Sequence, residues 1–189
     1  MTTIRSEEAQ EALRLVHETQ RQMRRLVAAG GAAYYLWLWG VIWVLGFSAE
    51  YFLGAGSTVG WIWAGLDTVG AVLSLMIGWH FGRKLRSSRG TSLGLVWLAW
   101  LVYGGLIIYF AQPQDANHLT LLIALLVMLA YVVSGVLYRS AFFVVLGVAL
   151  TVLTIVGFVL FSGAFSLWMA VVGGGGLILA GVYVWRAWR

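Results

Sequence analysis

The chain has 189 residues, of which 61% are apolar and only 10% charged, with a formal net charge of +5, one proline, 24 glycines and no cysteine. A soluble domain of this length carries about a quarter charged residues on its outside, so the composition excludes the ordinary soluble classes, and the missing cysteine excludes disulfides, thiolate metal sites and a cysteine nucleophile. The few charges are clustered and leave long apolar stretches between them, each close to the roughly 20 residues a helix needs to cross a hydrocarbon core.

The chain begins with a polar segment in which Ala9, Leu13, Val16, Gln20, Met23 and Val27 recur at alternating steps of four and three. That spacing lines them along one helical stripe and predicts a cytoplasmic amphipathic helix from Ser6 to Ala28, with Ser6 as its N-cap. Glu18 stands where it can pair with Arg14 and with Arg21 on the helix surface. Three placements of the stripe are open: in the headgroups with Arg21, Arg24 and Arg25 on anionic lipid, against another subunit as a short coiled coil, or over the cytoplasmic face of a bundle. A charged opening of this kind is not a secretory signal peptide, so the first span is expected to serve as the insertion signal.

Six spans follow, read as Ala32 to Leu53, Val59 to Phe81, Ser92 to Ala111, Leu119 to Tyr138, Ala141 to Phe161 and Phe165 to Trp185. Runs such as Leu121-Leu122-Ile123-Ala124-Leu125-Leu126-Val127 do not alternate, which rules against barrel strands and leaves helices. The fold class is therefore all-α, a polytopic bundle over residues 31–189 preceded by the cytoplasmic helix of residues 1–30. Little more than Arg139-Ser140 separates the fourth span from the fifth, which makes them antiparallel neighbours.

All twelve Lys and Arg residues fall in alternate connections: Arg5, Arg14, Arg21, Arg24 and Arg25; then Arg83, Lys84, Arg86 and Arg89; then Arg139; then Arg186 and Arg189. Under the positive-inside rule that side is the cytoplasm, and six crossings return both termini to it, in a cell inner (plasma) membrane. Tyr34, Tyr35, Trp37, Trp61, Trp63, Trp185 and Trp188 sit near span ends, where amphipathic rings favour the headgroup level. Orientation and lipid contact account for the basic charge without nucleic acid.

Within the spans, Gly70, Ser74, Gly78 and Gly82 recur every four residues of the second helix and predict a groove for close helix packing. Asp67 falls on nearly the same face. An intramembrane carboxylate is costly unless paired, hydrated or protonated, so Asp67 with Ser74 is a candidate proton- or cation-binding site, the alternative being an Asp67 that is hydrogen-bonded to a neighbouring helix or simply hydrated near the outer interface. Glu50, nearer the outer surface, is expected to be solvated. His17, His80 and His118 fall in the soluble helix and in opposite leaflets, so no metal site, cofactor or catalytic constellation is expected. Gly173-Gly174-Gly175-Gly176 lacks the strand and the Lys-Ser or Lys-Thr of a phosphate loop and predicts close packing or an unwound kink.

The order of an Arg-rich amphipathic helix, then Tyr34-Tyr35-Leu36-Trp37-Leu38-Trp39-Gly40-Val41-Ile42-Trp43, and finally Gly174-Gly175-Gly176-Leu177-Ile178-Leu179-Ala180-Gly181 before a basic end resembles uncharacterised bacterial six-span integral membrane proteins. The resemblance implies layout alone and carries no catalytic residue or substrate. Two functional expectations result: a non-enzymatic sensing or interaction protein whose cytoplasmic helix meets the inner leaflet or a protein partner, or a small transporter or channel, as a homo-oligomer, with Asp67 as its ion-binding group.

Overall fold

The computed structural model describes residues 31–82 and 88–188, together with 9–11, 14, 15 and 18, with side-chain surroundings described for 31–81 and 97–188 of the main part. All regular structure among the described residues is helical. Helix α1 spans Ala32–Leu53, α2 Ser57–Gly82, α3 Ser88–Ala111, α4 Ala116–Leu137 and α5 Ala141–Leu160. The last helix, α6, covers Ser162–Ala187. Five of these, α1, α2, α4, α5 and α6, are long and apolar enough to cross a bilayer, while the described apolar part of α3 is the shorter Trp97–Ala111.

Each break has a local cause. Gly54 adopts φ 75°, a region that side chains disfavour, and its N–H donates to the Glu50 carbonyl at 3.0 Å to close α1. Asp115 caps α4 by accepting the His118 N–H at 2.9 Å, the bond an N-cap side chain supplies to an orphan donor. At the α4–α5 turn, Arg139 N–H donates to the Val136 carbonyl (3.1 Å) and Ser140 N–H to the Gly135 carbonyl (2.8 Å). This is the paired C-cap that needs one left-handed residue, and here Arg139, with φ 50°, fills it instead of glycine.

The main contacts run from α3 to α4, α5, α6, α1 and finally α2, so that α1 lies between α2 and α6 and the sequence neighbours α2 and α3 stand at the two ends. Leu36, Met128, Phe165, Met169, Leu177 and Val184 are the large side chains sealed inside. Helices α1 and α6 meet on small residues. A Cβ on Gly174 would lie 2.8 Å from the Gly40 carbonyl oxygen, and one on Gly181 would lie 3.1 Å from that of Ala33. In each helix the two small positions are seven residues apart, two turns along one face, so the backbones approach in the way that stabilises helix pairs where no hydrophobic effect operates.

The four-glycine run does not unwind. Helix α6 starts with a 3-10 turn at Ser162–Ala164, continues as α-helix over Phe165–Trp168, widens to π-helix over Met169–Gly174 and resumes as α-helix over Gly175–Ala187. A π-turn inserts one residue and shifts the face presented by everything after it. In this helix it lets Gly174 meet α1 while Gly176 meets Leu150 of α5.

Candidate functional site

The most polar buried place in the bundle is at the outer end of α1, α2 and α6 in the frame read from the sequence. Gly46 and Phe47 stand about one turn before Glu50, all three buried on the inner side of α1. The ring of Trp63 from α2 occupies the space a Gly46 side chain would take, with ring atoms 2.5 to 2.6 Å from the position of its missing Cβ. It meets Phe47 edge to face, with centroids 4.9 Å apart. That placement aims the indole Nε1–H at Glu50 Oε2, 3.4 Å away. From α6, Ser166 Oγ donates to Glu50 Oε1 at 3.0 Å. Glu50 and Ser166 are each only 9% exposed.

Three helices therefore close on one carboxylate. Removing such an ion from water costs several kcal/mol even after relaxation, whereas a hydrogen bond to a charged group contributes about 1.5–3 kcal/mol. No ion pair reaches Glu50 among the described residues. The expectation of a solvated Glu50 is thus overturned: the approach of Trp63 and Ser166, which only tertiary packing supplies, removes it from water. The order of elements held a signal for this, because Glu50 lies at the end of α1 while Trp63 and Ser166 lie near the starts of α2 and α6.

The predicted groove of α2 packs on α1. A Cβ on Gly70 would lie 2.6 Å from Ile42 Cδ1, and one on Gly78 would lie 2.9 Å from the Tyr35 hydroxyl. Ser74 belongs to the same contact: its Oγ accepts from Trp39 Nε1 at 3.2 Å and its carbonyl from the Tyr35 hydroxyl at 3.0 Å. Gly82 ends α2, and its surroundings lie outside the described side chains. Asp67 is exposed on the flank of the contact face, about 15 Å along the axis from Ser57 at 1.5 Å per residue. Ser74 is occupied by α1, so the two do not form one polar centre.

A second polar cluster lies at the start of α4, around its N-cap Asp115. Asp115 Oδ1 receives both the backbone N–H and ring Nδ1 of His118, each at 2.9 Å. The His118 backbone bond first, and its ring second, hold the Asp115 carboxyl below the usual aspartate range. Asn117 Nδ2 donates to the Ser162 carbonyl at 2.9 Å and fastens the start of α4 to the entry of α6. The His118 ring also meets Phe158 edge to face. Among the described residues, no group of three or more His, Cys, Asp or Glu stands together as a metal site.

Arg21, Arg24 and Arg25 lie outside the described residues, as does most of the predicted segment from Ser6 to Ala28. Its described residues are helical, and Arg14 Nε donates to Glu18 Oε1 at 3.0 Å. No protein-family model, no curated protein and no solved structure matches the chain.

Proposed function

We propose that the chain is a six-span membrane protein of the bacterial plasma membrane, both termini cytoplasmic, that acts without catalysis by offering its N-terminal helix to a cytoplasmic protein partner or to the inner leaflet. The observation that carries this reading is the stripe of Ala9, Leu13, Val16, Gln20, Met23 and Val27 beside Arg21, Arg24 and Arg25, in a segment whose described residues are helical and paired at Arg14 and Glu18. The bundle supports the same frame. Its polar side chains near Glu50 and Ser74 are engaged in ties between helices; five helices have the length and composition of spans, and on this reading α3 is the sixth, which would return the C-terminus to the side of the basic loops.

Removal of residues 1 to 28 tests the reading, because the described packing begins at Gly31, against Phe81 and Ile77. The truncated protein should stay folded and lose the cytoplasmic proteins or anionic-lipid contacts captured by crosslinking with the whole chain. Retention of every crosslink would remove the helix from the function.

One observation favours a second reading, a small transporter or channel. Asp67 is exposed on α2, without a hydrogen bond or ion pair to any described residue, at a depth where hydrocarbon penalises a carboxylate. A water-filled path, within the chain or between copies in a homo-oligomer, would hydrate it. In proteoliposomes Asp67→Asn should then abolish cation or proton flux, and unchanged flux in that variant would exclude Asp67 from the mechanism.

A further inference from the structure

Where α5 begins and α6 ends, an aromatic cluster lies beside two arginines. Phe142 stacks on Tyr183, with centroids 5.0 Å apart and planes at 19°. Trp188, itself buried, braces the stack edge to face, 5.5 Å from Phe142 and 5.9 Å from Phe143. Arg139 precedes Phe142 by three residues and Arg186 follows Tyr183 by three. Both arginines are exposed, and neither has an ion pair to any described residue. We propose that Arg139, Arg186 and the Phe142–Tyr183 stack form a binding site for the phosphate headgroup of an anionic phospholipid, in the leaflet on the side of the basic connections.

The charge pattern selects that partner. In helices α1 to α6 and their connections the acidic residues are Glu50, Asp67 and Asp115. Glu50 lies near the end of α1 and Asp115 just before α4, both at the opposite end of the bundle, and Asp67 lies in the half of α2 nearer that end. The two guanidiniums therefore meet no carboxylate from the helices around them. Arg139 stands at φ 50°, where a C-cap ordinarily carries glycine, and the turn uses only its backbone N–H. Its guanidinium is left over by the fold. A planar fork of N–H donors matches phosphate oxygens better than a point charge does, and a basic cleft between spans is the form that headgroup sites take.

Helix α6 continues the site into the membrane. Gly175, Leu179, Tyr183 and Arg186 fall within about 80° of one helical face at 3.6 residues per turn. Leu179 is exposed, and a Cβ on Gly175 would meet nothing within 4 Å, so the surface falls away below the Tyr183 ring. Tyrosine at such a level sets its hydroxyl among the headgroups. From the end of the helix inward the order is guanidinium, phenol, apolar side chain and open surface. A phospholipid runs in the same order from phosphate through glycerol esters to acyl chain. The site rests on the membrane frame proposed above and not on the role of the N-terminal helix.

The test is native mass spectrometry of the full chain released from vesicles of phosphatidylcholine with phosphatidylglycerol. Wild type should retain phosphatidylglycerol in preference to phosphatidylcholine. Arg139→Gln with Arg186→Gln should weaken that retention about fivefold for each arginine replaced; glutamine keeps a side chain at the left-handed position, so only the charge changes. Arg86→Gln with Arg89→Gln removes equal charge from the connection between α2 and α3 and should leave retention unchanged. Removal of residues 1 to 28 should also leave it unchanged, which separates this site from the proposed role of the N-terminal helix. A wild type without preference, equal losses in the two double variants, or loss on truncation overturns the proposal. Excess glycerol phosphate should not displace the lipid, and displacement would overturn it in favour of a free-phosphate site.

Should the arginine variants not fold, wild type decides by crosslinking to phosphatidylglycerol that carries a photoreactive headgroup. The label should fall on the peptides holding Arg139 to Phe142 and Tyr183 to Arg186, with protection by unlabelled phosphatidylglycerol and not by phosphatidylcholine. Labelling confined to other peptides overturns the proposal.

Discussion

Two adjacent glycines in α6 separate packing from local backbone preference. A Cβ on Gly174 would lie 2.7 Å from Val44 Cγ2, 2.8 Å from the Gly40 carbonyl oxygen and 2.8 Å from the Val44 amide nitrogen, whereas one on Gly175 would meet nothing within 4 Å. Ordinary contact starts near 3.4 Å, so Gly174→Ala is short of room by about 0.6 Å, mostly against backbone that cannot rotate away. The α1–α6 seam must open, and overpacking of this kind costs about 1–3 kcal/mol. Gly175→Ala meets no obstacle and gains up to about 1 kcal/mol of helix preference. Both residues stand at the exit of the same π-turn, so the effect on that turn is shared and the difference isolates the seam.

Heating the detergent-solubilised variants and following the folded fraction by size-exclusion chromatography should lower the midpoint for Gly174→Ala by about 2–4 °C per kcal/mol. Gly175→Ala should hold it or raise it. Equal shifts for the two variants would refute the close approach of α1 and α6.

Ser166→Ala removes the shorter of the two bonds to the buried Glu50 and should destabilise by about 1–3 kcal/mol in the same assay. A neutral result would mean that water replaces the hydroxyl. Arg139→Gly should raise the midpoint, since a side chain in the left-handed region costs about 1–2 kcal/mol that glycine avoids; a fall would place the value of Arg139 in its charge. Because the folded carboxyl of Asp115 is held below its unfolded value, its contribution is complete above the usual aspartate range and is lost as pH falls through the folded value. An acid titration of wild type should therefore show a loss that Asp115→Asn lacks, and identical profiles would dissociate the cap from that loss. A cysteine introduced at Gln114 should react with an impermeant maleimide from outside the cell; reaction from the cytosol alone would invert the topology.

Helix class and membrane character were legible in the sequence because both follow from one-dimensional quantities. Apolar runs long enough to cross a bilayer can satisfy their backbone only as helices, and five of those stretches are helices of the required length and composition. Gly70, Ser74 and Gly78 were legible as a packing stripe because a four-residue repeat keeps to one helical face; that the stripe meets α1 through Tyr35, Trp39 and Ile42 depends on which helices become neighbours. The four glycines from Gly173 to Gly176 pointed to close packing or an unwound kink; Gly174 does pack against α1, but the helix widens to a π-turn instead of unwinding, a difference in backbone hydrogen bonds that composition does not encode.

Glu50 marks the boundary most sharply. Its residue type and its position near the end of a span suggested a solvated carboxylate. Its burial arises from Trp63, which enters the space left by Gly46, and from Ser166, more than a hundred residues away in the chain. Hydrophobic length is a property of each segment alone and fixes the spans. The environment of a charge is a property of what three segments do together, and only the tertiary structure decides it.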